Sequence, residues 1–166
     1  MVVGLSYNEP YCAYVLDEYQ SADYCELFEE CCEMHLQRRL QYWVGDCESE
    51  TFQQTYNLVS NDYRDANDNY RGFWPVPSQI NDMETPYPYV LSLIRKHLRN
   101  GSLFLKDAHV REDLLSIDPS DLQELQVGDY PSIEALGMAV DMAFQIHEGI
   151  HAPKLERYSP PNEWCL

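Results

Sequence analysis

Lysine and arginine are scarce in this chain. Its 166 residues hold eleven of them against twenty-eight aspartates and glutamates, a formal net charge of −17. So negative a surface argues against direct binding to nucleic acid, and repulsion from anionic lipid argues against a peripheral membrane role. Long apolar runs are missing as well. No stretch approaches the roughly 20 apolar residues of a membrane span. The opening Met1–Tyr7 has neither a basic start nor a long apolar run, so no secretory signal is expected and the sequence reads as cytoplasmic. There is no C-x-x-C, no P-loop, no G-x-G-x-x-G and no G-x-S-x-G, and no internal repeat or low-complexity tract.

What is present is globular in composition. Hydrophobic residues make up 45%, and thirteen Tyr, five Phe and three Trp are far more aromatic residues than a disordered acidic tail carries. At this length one domain spanning 1–166 is expected, with enough chain to bury a core. The six cysteines are Cys12, Cys25, Cys31, Cys32, Cys47 and Cys165. Adjacent Cys31 and Cys32 are badly placed to bridge each other, and the chain exceeds the size of disulfide scaffolds, so the thiols are read as reduced.

The acidity is uneven. Residues 1–70 carry fourteen acids and three bases, 71–106 carry two acids and five bases, and 107–166 carry twelve acids and three bases. Two acidic lobes flank a mildly basic centre.

Punctuation and periodicity indicate a mainly α fold, a single-domain bundle of five or six helices. Residues 1–20 are open to a short β-hairpin, because Val2–Tyr7 and Tyr11–Leu16 are β-rich runs around the turn triplet Asn8-Glu9-Pro10. A long helix is expected from an N-cap at Ser21 to Val44, stopped by Gly45. A second spans Ser49 to about Tyr63 before a polar loop. Residues 72–88 read as a Pro- and aromatic-rich loop containing Trp74, which either packs across the helices or presents a contact surface. Helices follow over Tyr89–Arg99, from Asp107 to about Ser116, from Asp118-Pro119 to Gly128, and from Pro131 to about Ile150. An irregular tail occupies 153–166.

Five constellations bear on function. Asp23, Glu26, Glu29, Glu30 and Glu33 advance by threes and fours, which sets them on one helix face about 5–6 Å apart. Such neighbours repel, and no lysine is interleaved to relieve them. A solvated face explains them blandly. A row of carboxylates that docks on Lys/Arg, or stands in for phosphates, explains them functionally.

His147-Glu148-Gly149-Ile150-His151 matches H-E-x-x-H, in which two imidazoles hold Zn²⁺ and the Glu is general base on its water. Glu156 is a candidate third ligand. Against catalysis, His147 continues the apolar stripe of Leu136, Val140, Ala143 and Phe144. Glu148 extends a polar face with Glu134 and Asp141. Gly149 weakens the helix, and little chain remains to align a substrate.

Cys31 and His35 share a helix face and make half a zinc site at most. Asp62, Asp65 and Asp68 belong to an acidic loop that fails the EF-hand pattern, with Tyr70 where glycine is needed and Val76 in place of the closing Glu. Arg95, Lys96 and Arg99 form a basic helix face, expected to pair within the molecule.

The leading expectation is a non-enzymatic, intracellular binding or inhibitory protein without cofactor. It engages a basic, nucleic-acid-binding surface of a partner protein, as a nucleic-acid mimic of the phage or plasmid counter-defence type. The expected contact residues are Asp23, Glu26, Glu29, Glu30, Glu33, Asp62, Asp65, Asp68 and Trp74. The alternatives are a small zinc hydrolase using His147, His151, Glu156 and catalytic Glu148, and an acidic structural subunit of a larger assembly.

Overall fold

The computed structural model describes residues 1–6, 11–38, 40, 42–45, 49–77, 87–105, 109–118, 125 and 129–147. The helix expected over 118–128 lies outside the described residues apart from its first position and Leu125, and the tail from 153 lies outside them entirely. The fold is mainly α, with five α-helices among the described residues and two small sheets. The described residues group into two compact units, 1–18 with those from 87 to 147, and 19–77.

In the first unit, strands β1 (Val2–Leu5) and β2 (Ala13–Asp17) pair antiparallel, Val3 opposite Val15 and Gly4 opposite Tyr14. This is the hairpin pairing that the two β-rich runs imply. Along β2 burial alternates: Ala13 and Val15 point into the core, Tyr14 and Leu16 outward. Helix α3 (Tyr87–Arg99) buries Tyr87, Val90, Ile94 and His97, a three-and-four spacing that gives it one core face. Strand β5 (Leu103–Phe104) returns to pair parallel with β2. The intervening turn carries Gly101 at φ +66°, the left-handed conformation that suits glycine. Ser102 N–H donates to His97 O at 2.9 Å and Gly101 N–H to Leu98 O at 3.2 Å, a Schellman closure where the sequence sets its stop. Helices α4 (His109–Ser116) and α5 (Pro131–His147) complete the unit. Val110, Ile133, Leu136 and Val140 are fully buried against Ala13, Ile94 and Leu103. Each such aliphatic side chain contributes roughly 1.5–3 kcal/mol by leaving water.

The second unit packs α1 (Tyr24–Arg38) on α2 (Glu50–Val59), followed by a 3₁₀ turn, Ser60–Tyr63. Strands β3 (Val44–Gly45) and β4 (Val76–Pro77) pair parallel beside them. The core is aromatic: Phe28, Tyr56 and Phe73 are buried with Cys32 and Val59, and Phe52, Trp43, Tyr70 and Trp74 close around them. Ring centroids lie 4.8 Å apart for Phe28–Phe73 and 4.7 Å for Trp43–Phe73, within the range of favourable ring contacts. At Gly72 the backbone must pass close: a Cβ there would sit 2.7 Å from Cys32 Sγ and collide with the Tyr70 hydroxyl.

Both ends of α1 differ from the expected Ser21–Val44. Asp23 is the cap, its Oδ1 accepting from Cys25 N–H at 2.8 Å and Glu26 N–H at 3.3 Å, while Ser21 Oγ accepts from Asp23 N–H at 3.0 Å. The helix ends at Arg38 because Trp43 turns back. Its Nε1–H donates to His35 Nδ1 at 3.0 Å, its ring meets Phe73, and Val44 pairs with Val76. The second helix, expected over Ser49 to about Tyr63, is α from Glu50 to Val59 and 3₁₀ to Tyr63, with Ser49 its cap, accepting from Phe52 N–H at 3.2 Å.

Candidate binding surface

Helix α1 presents its acids opposite Phe28 and Cys32. Asp23, Glu26, Glu29 and Glu33 are exposed and Glu30 is half-buried. The carboxylate of Asp23 is engaged in capping. Glu26 accepts a short hydrogen bond from Ser21 Oγ at 2.6 Å, and Glu33 one from Gln37 at 3.5 Å. Among the described residues no lysine or arginine makes an ion pair with Glu26, Glu29, Glu30 or Glu33.

Two tyrosines register the field of this row. The Tyr19 phenol is raised above its ordinary pKa, first by its hydrogen bond to Glu26, with the charges of Glu26, Glu30 and Asp23 adding to it. Tyr63 is pushed up to about 12, first by desolvation, then by Cys32 and by the nearby charges of Glu33, Glu29 and Asp62. Its hydroxyl donates to Glu29 O at 3.4 Å. Asp62 and the row therefore act on one phenol, which extends the negative surface from α1 onto the 3₁₀ turn. Neither tyrosine stood out in the sequence, because Tyr63 meets the row across thirty-four residues of chain and no local spacing encodes that.

The remaining acids of the loop are engaged internally. Asp65 accepts from Asn67 N–H, Asn69 N–H and the Arg71 guanidinium, the latter at 2.8 Å from Nε. Arg64 lies 3.6 Å from the Asp68 carboxylate. These two aspartates hold a turn together and are neutralised in doing so. Trp74 is half-buried, edge-on to Phe52 at 5.5 Å and Tyr56 at 5.2 Å. Of the two roles open to the aromatic loop, Phe73 and Trp74 take packing across the helices. Positions 78–86 of that loop lie outside the described residues.

The Cys31–His35 pair does not form part of a three-ligand group among the described residues. Burial pushes the Cys31 thiol up to about 11, and desolvation lowers His35, whose Nδ1 already accepts from Trp43. Among the described residues no group of three His, Cys, Asp or Glu is placed to hold a metal ion. His147 is the last residue of α5, and Glu148, His151 and Glu156 lie outside the described residues. Cys25, Cys31 and Cys32 are free thiols. No described helix is long and apolar enough to cross a membrane.

On α3, Arg95, Lys96 and Arg99 are exposed. The internal ion pairs expected of them are not formed with any described residue. Compared with known proteins, the chain matches no family model, and no curated protein or solved structure matches it.

Proposed function

We propose that this is a non-enzymatic binding protein that engages a basic, nucleic-acid-binding surface of a partner protein through the carboxylate row of α1. The observation that carries the proposal is the row itself: exposed Glu26, Glu29 and Glu33 with half-buried Glu30, and among the described residues no lysine or arginine in an ion pair with them. Four charges between positions 26 and 33 of an α-helix span about 10.5 Å, or about 3.5 Å per charge. One strand of duplex DNA presents a charge about every 3.4 Å along its axis. A groove of Lys/Arg that tracks phosphates therefore meets a similar linear charge density on α1. Asp62 widens the row, and the raised phenols of Tyr19 and Tyr63 stay protonated beside it as hydrogen-bond donors. Competition is the mechanism: carboxylates occupy phosphate positions, and the rim of polar and aromatic groups adds selectivity that charge alone lacks.

The test is binding of the full chain to a panel of DNA- and RNA-binding proteins, with duplex DNA as competitor. The expected complex weakens steeply as salt rises from about 50 to 200 mM, is displaced by DNA, and is lost in E26K/E29K/E30K/E33K. A complex indifferent to salt, or one that survives that charge reversal, overturns the proposal.

A further inference from the structure

The solvent face of α3 lies opposite its buried Val90, Ile94 and His97, and its charges are all positive. Arg64 and Arg71 of the chain are tied to their own aspartates, yet Arg95, Lys96 and Arg99 have no described carboxylate against them. Read from its C-terminal end, this face runs Arg99, Lys96, Arg95, Ser92, Tyr89. The outer face of α1, read from its N-terminal end, runs Glu26, Glu29, Glu30, Glu33, Leu36. Both series advance by the same steps, both cover eleven residues with a rise of about 15 Å, and both stay within an arc of about 120°. Laid antiparallel, Glu26 meets Arg99, and because facing helices mirror each other's lateral offsets, Glu29 lies nearest Arg95 and Glu30 nearest Lys96. Beyond these pairs Glu33 faces the Ser92 hydroxyl, while Leu36 and Tyr89 flank the two edges of the seam. Those last two are exposed apolar side chains, 48% and 52% accessible. Antiparallel helix dipoles favour the same orientation.

We infer that the solvent face of α3 is the docking surface for the α1 row of a second copy of this chain. The inference rests on the reading of that row as a docking surface and adds a competitor for it: a basic partner and a sister molecule claim the same carboxylates. Exposed ion pairs contribute little each, so the association is weak, with a dissociation constant on the order of millimolar. Its salt dependence is distinctive. At about 10 mM salt the Debye length is roughly 30 Å and the −17 of each copy keeps them apart. At about 0.15 M it is roughly 8 Å, whole-molecule repulsion is screened and contact pairs survive. At about 1 M the contact pairs are screened too. Association is greatest in the middle.

Sedimentation equilibrium of the full chain across these three salt concentrations tests it. The expected result is a concentration-dependent mass increase at the intermediate salt that is lost at both extremes. R95E/K96E/R99E and E26K/E29K/E30K are each expected to be monomeric, and an equimolar mixture of the two to regain the association. A wild-type chain that stays monomeric throughout, or R95E/K96E/R99E associating as the wild type does, overturns the inference. The wild-type salt profile needs no variant, so a misfolded one does not blunt the test. The two proposals fail separately. A monomeric chain that still binds its basic partner sinks only self-docking, and a self-associating chain that binds none of the panel sinks only the proposed function.

Discussion

Asp65 organises the loop that follows α2. The chain reverses there, with Asp68 at φ +62°, a left-handed conformation that aspartate tolerates better than most residues. The Asp65 carboxylate gathers Asn69 N–H, Arg71 and Asn67 N–H, and these bonds, named in order of effect, hold its pKa down to about 2. The sign of the pH effect follows. A carboxyl held below its unfolded value of 3.8 stabilises the fold above that pH, and the contribution is lost as pH falls toward 2. Asp65→Asn is therefore expected to loosen the loop near neutrality, with the wild-type advantage constant above about pH 5 and closing by about pH 2. Chemical denaturation of both proteins across that range measures it, and an NMR titration of Asp65 should give the low midpoint directly. In the sequence this aspartate looks like its neighbours Asp62 and Asp68. Only the reversal that brings Asn69 and Arg71 back onto it separates a turn-holding carboxylate from one facing solvent, and composition does not encode a reversal.

Among the elements, α4 depends on a residue ninety-one positions away. Glu18, just past the end of β2, accepts from His109 N–H at 2.5 Å and from Val110 N–H at 3.2 Å, so it occupies the N-terminus of that helix. A carboxylate there also complements the helix dipole. Glu18→Ala is expected to cost about 1 kcal/mol, the usual worth of a cap, and to speed amide exchange at residues 109–112. Glu18→Gln, which keeps one acceptor oxygen, should cost less. Unchanged exchange at the start of α4 would contradict the capping role. The contrast with other helix ends explains what could be read beforehand. Ser49 and Gly101 act on residues within five positions, and the sequence marks both. The apolar steps of α3 and α5 likewise give their faces directly. Glu18, the return of Trp43 to His35, and the two-residue strands β3, β4 and β5 are set by tertiary contacts that no window of neighbouring residues contains. The same limit applies to the binding surface: the α1 row was legible as spacing, whereas the junction of Asp62 with it through Tyr63 was not.

For the molecule as a whole, net charge and stability pull against each other along α1. Glu26–Glu30 and Glu29–Glu33 are i,i+4 pairs of like charge, Glu26–Glu29 and Glu30–Glu33 are i,i+3 pairs, and each destabilises the helix by a few tenths of a kcal/mol. Repulsion across a −17 surface adds to this at low salt. Selection for stability alone would interleave lysines, whereas a row that serves to bind keeps the repulsion. Glu30→Lys separates these two accounts. It replaces two repulsive contacts, with Glu26 and Glu33, by two attractive ones, and Glu26 then stands four residues N-terminal to a lysine, the favoured orientation. The variant is expected to be more stable than wild type by about 1 kcal/mol at low ionic strength, with the gain shrinking as salt is added. Its affinity for a basic partner should fall in the same preparation, a stability gain coupled to a functional loss. Parallel melts and binding titrations at low and high salt give both quantities. A variant that gains stability and keeps full affinity would mark the row as a solvated face, while a gain in stability matched by a loss of binding identifies repulsion retained for function.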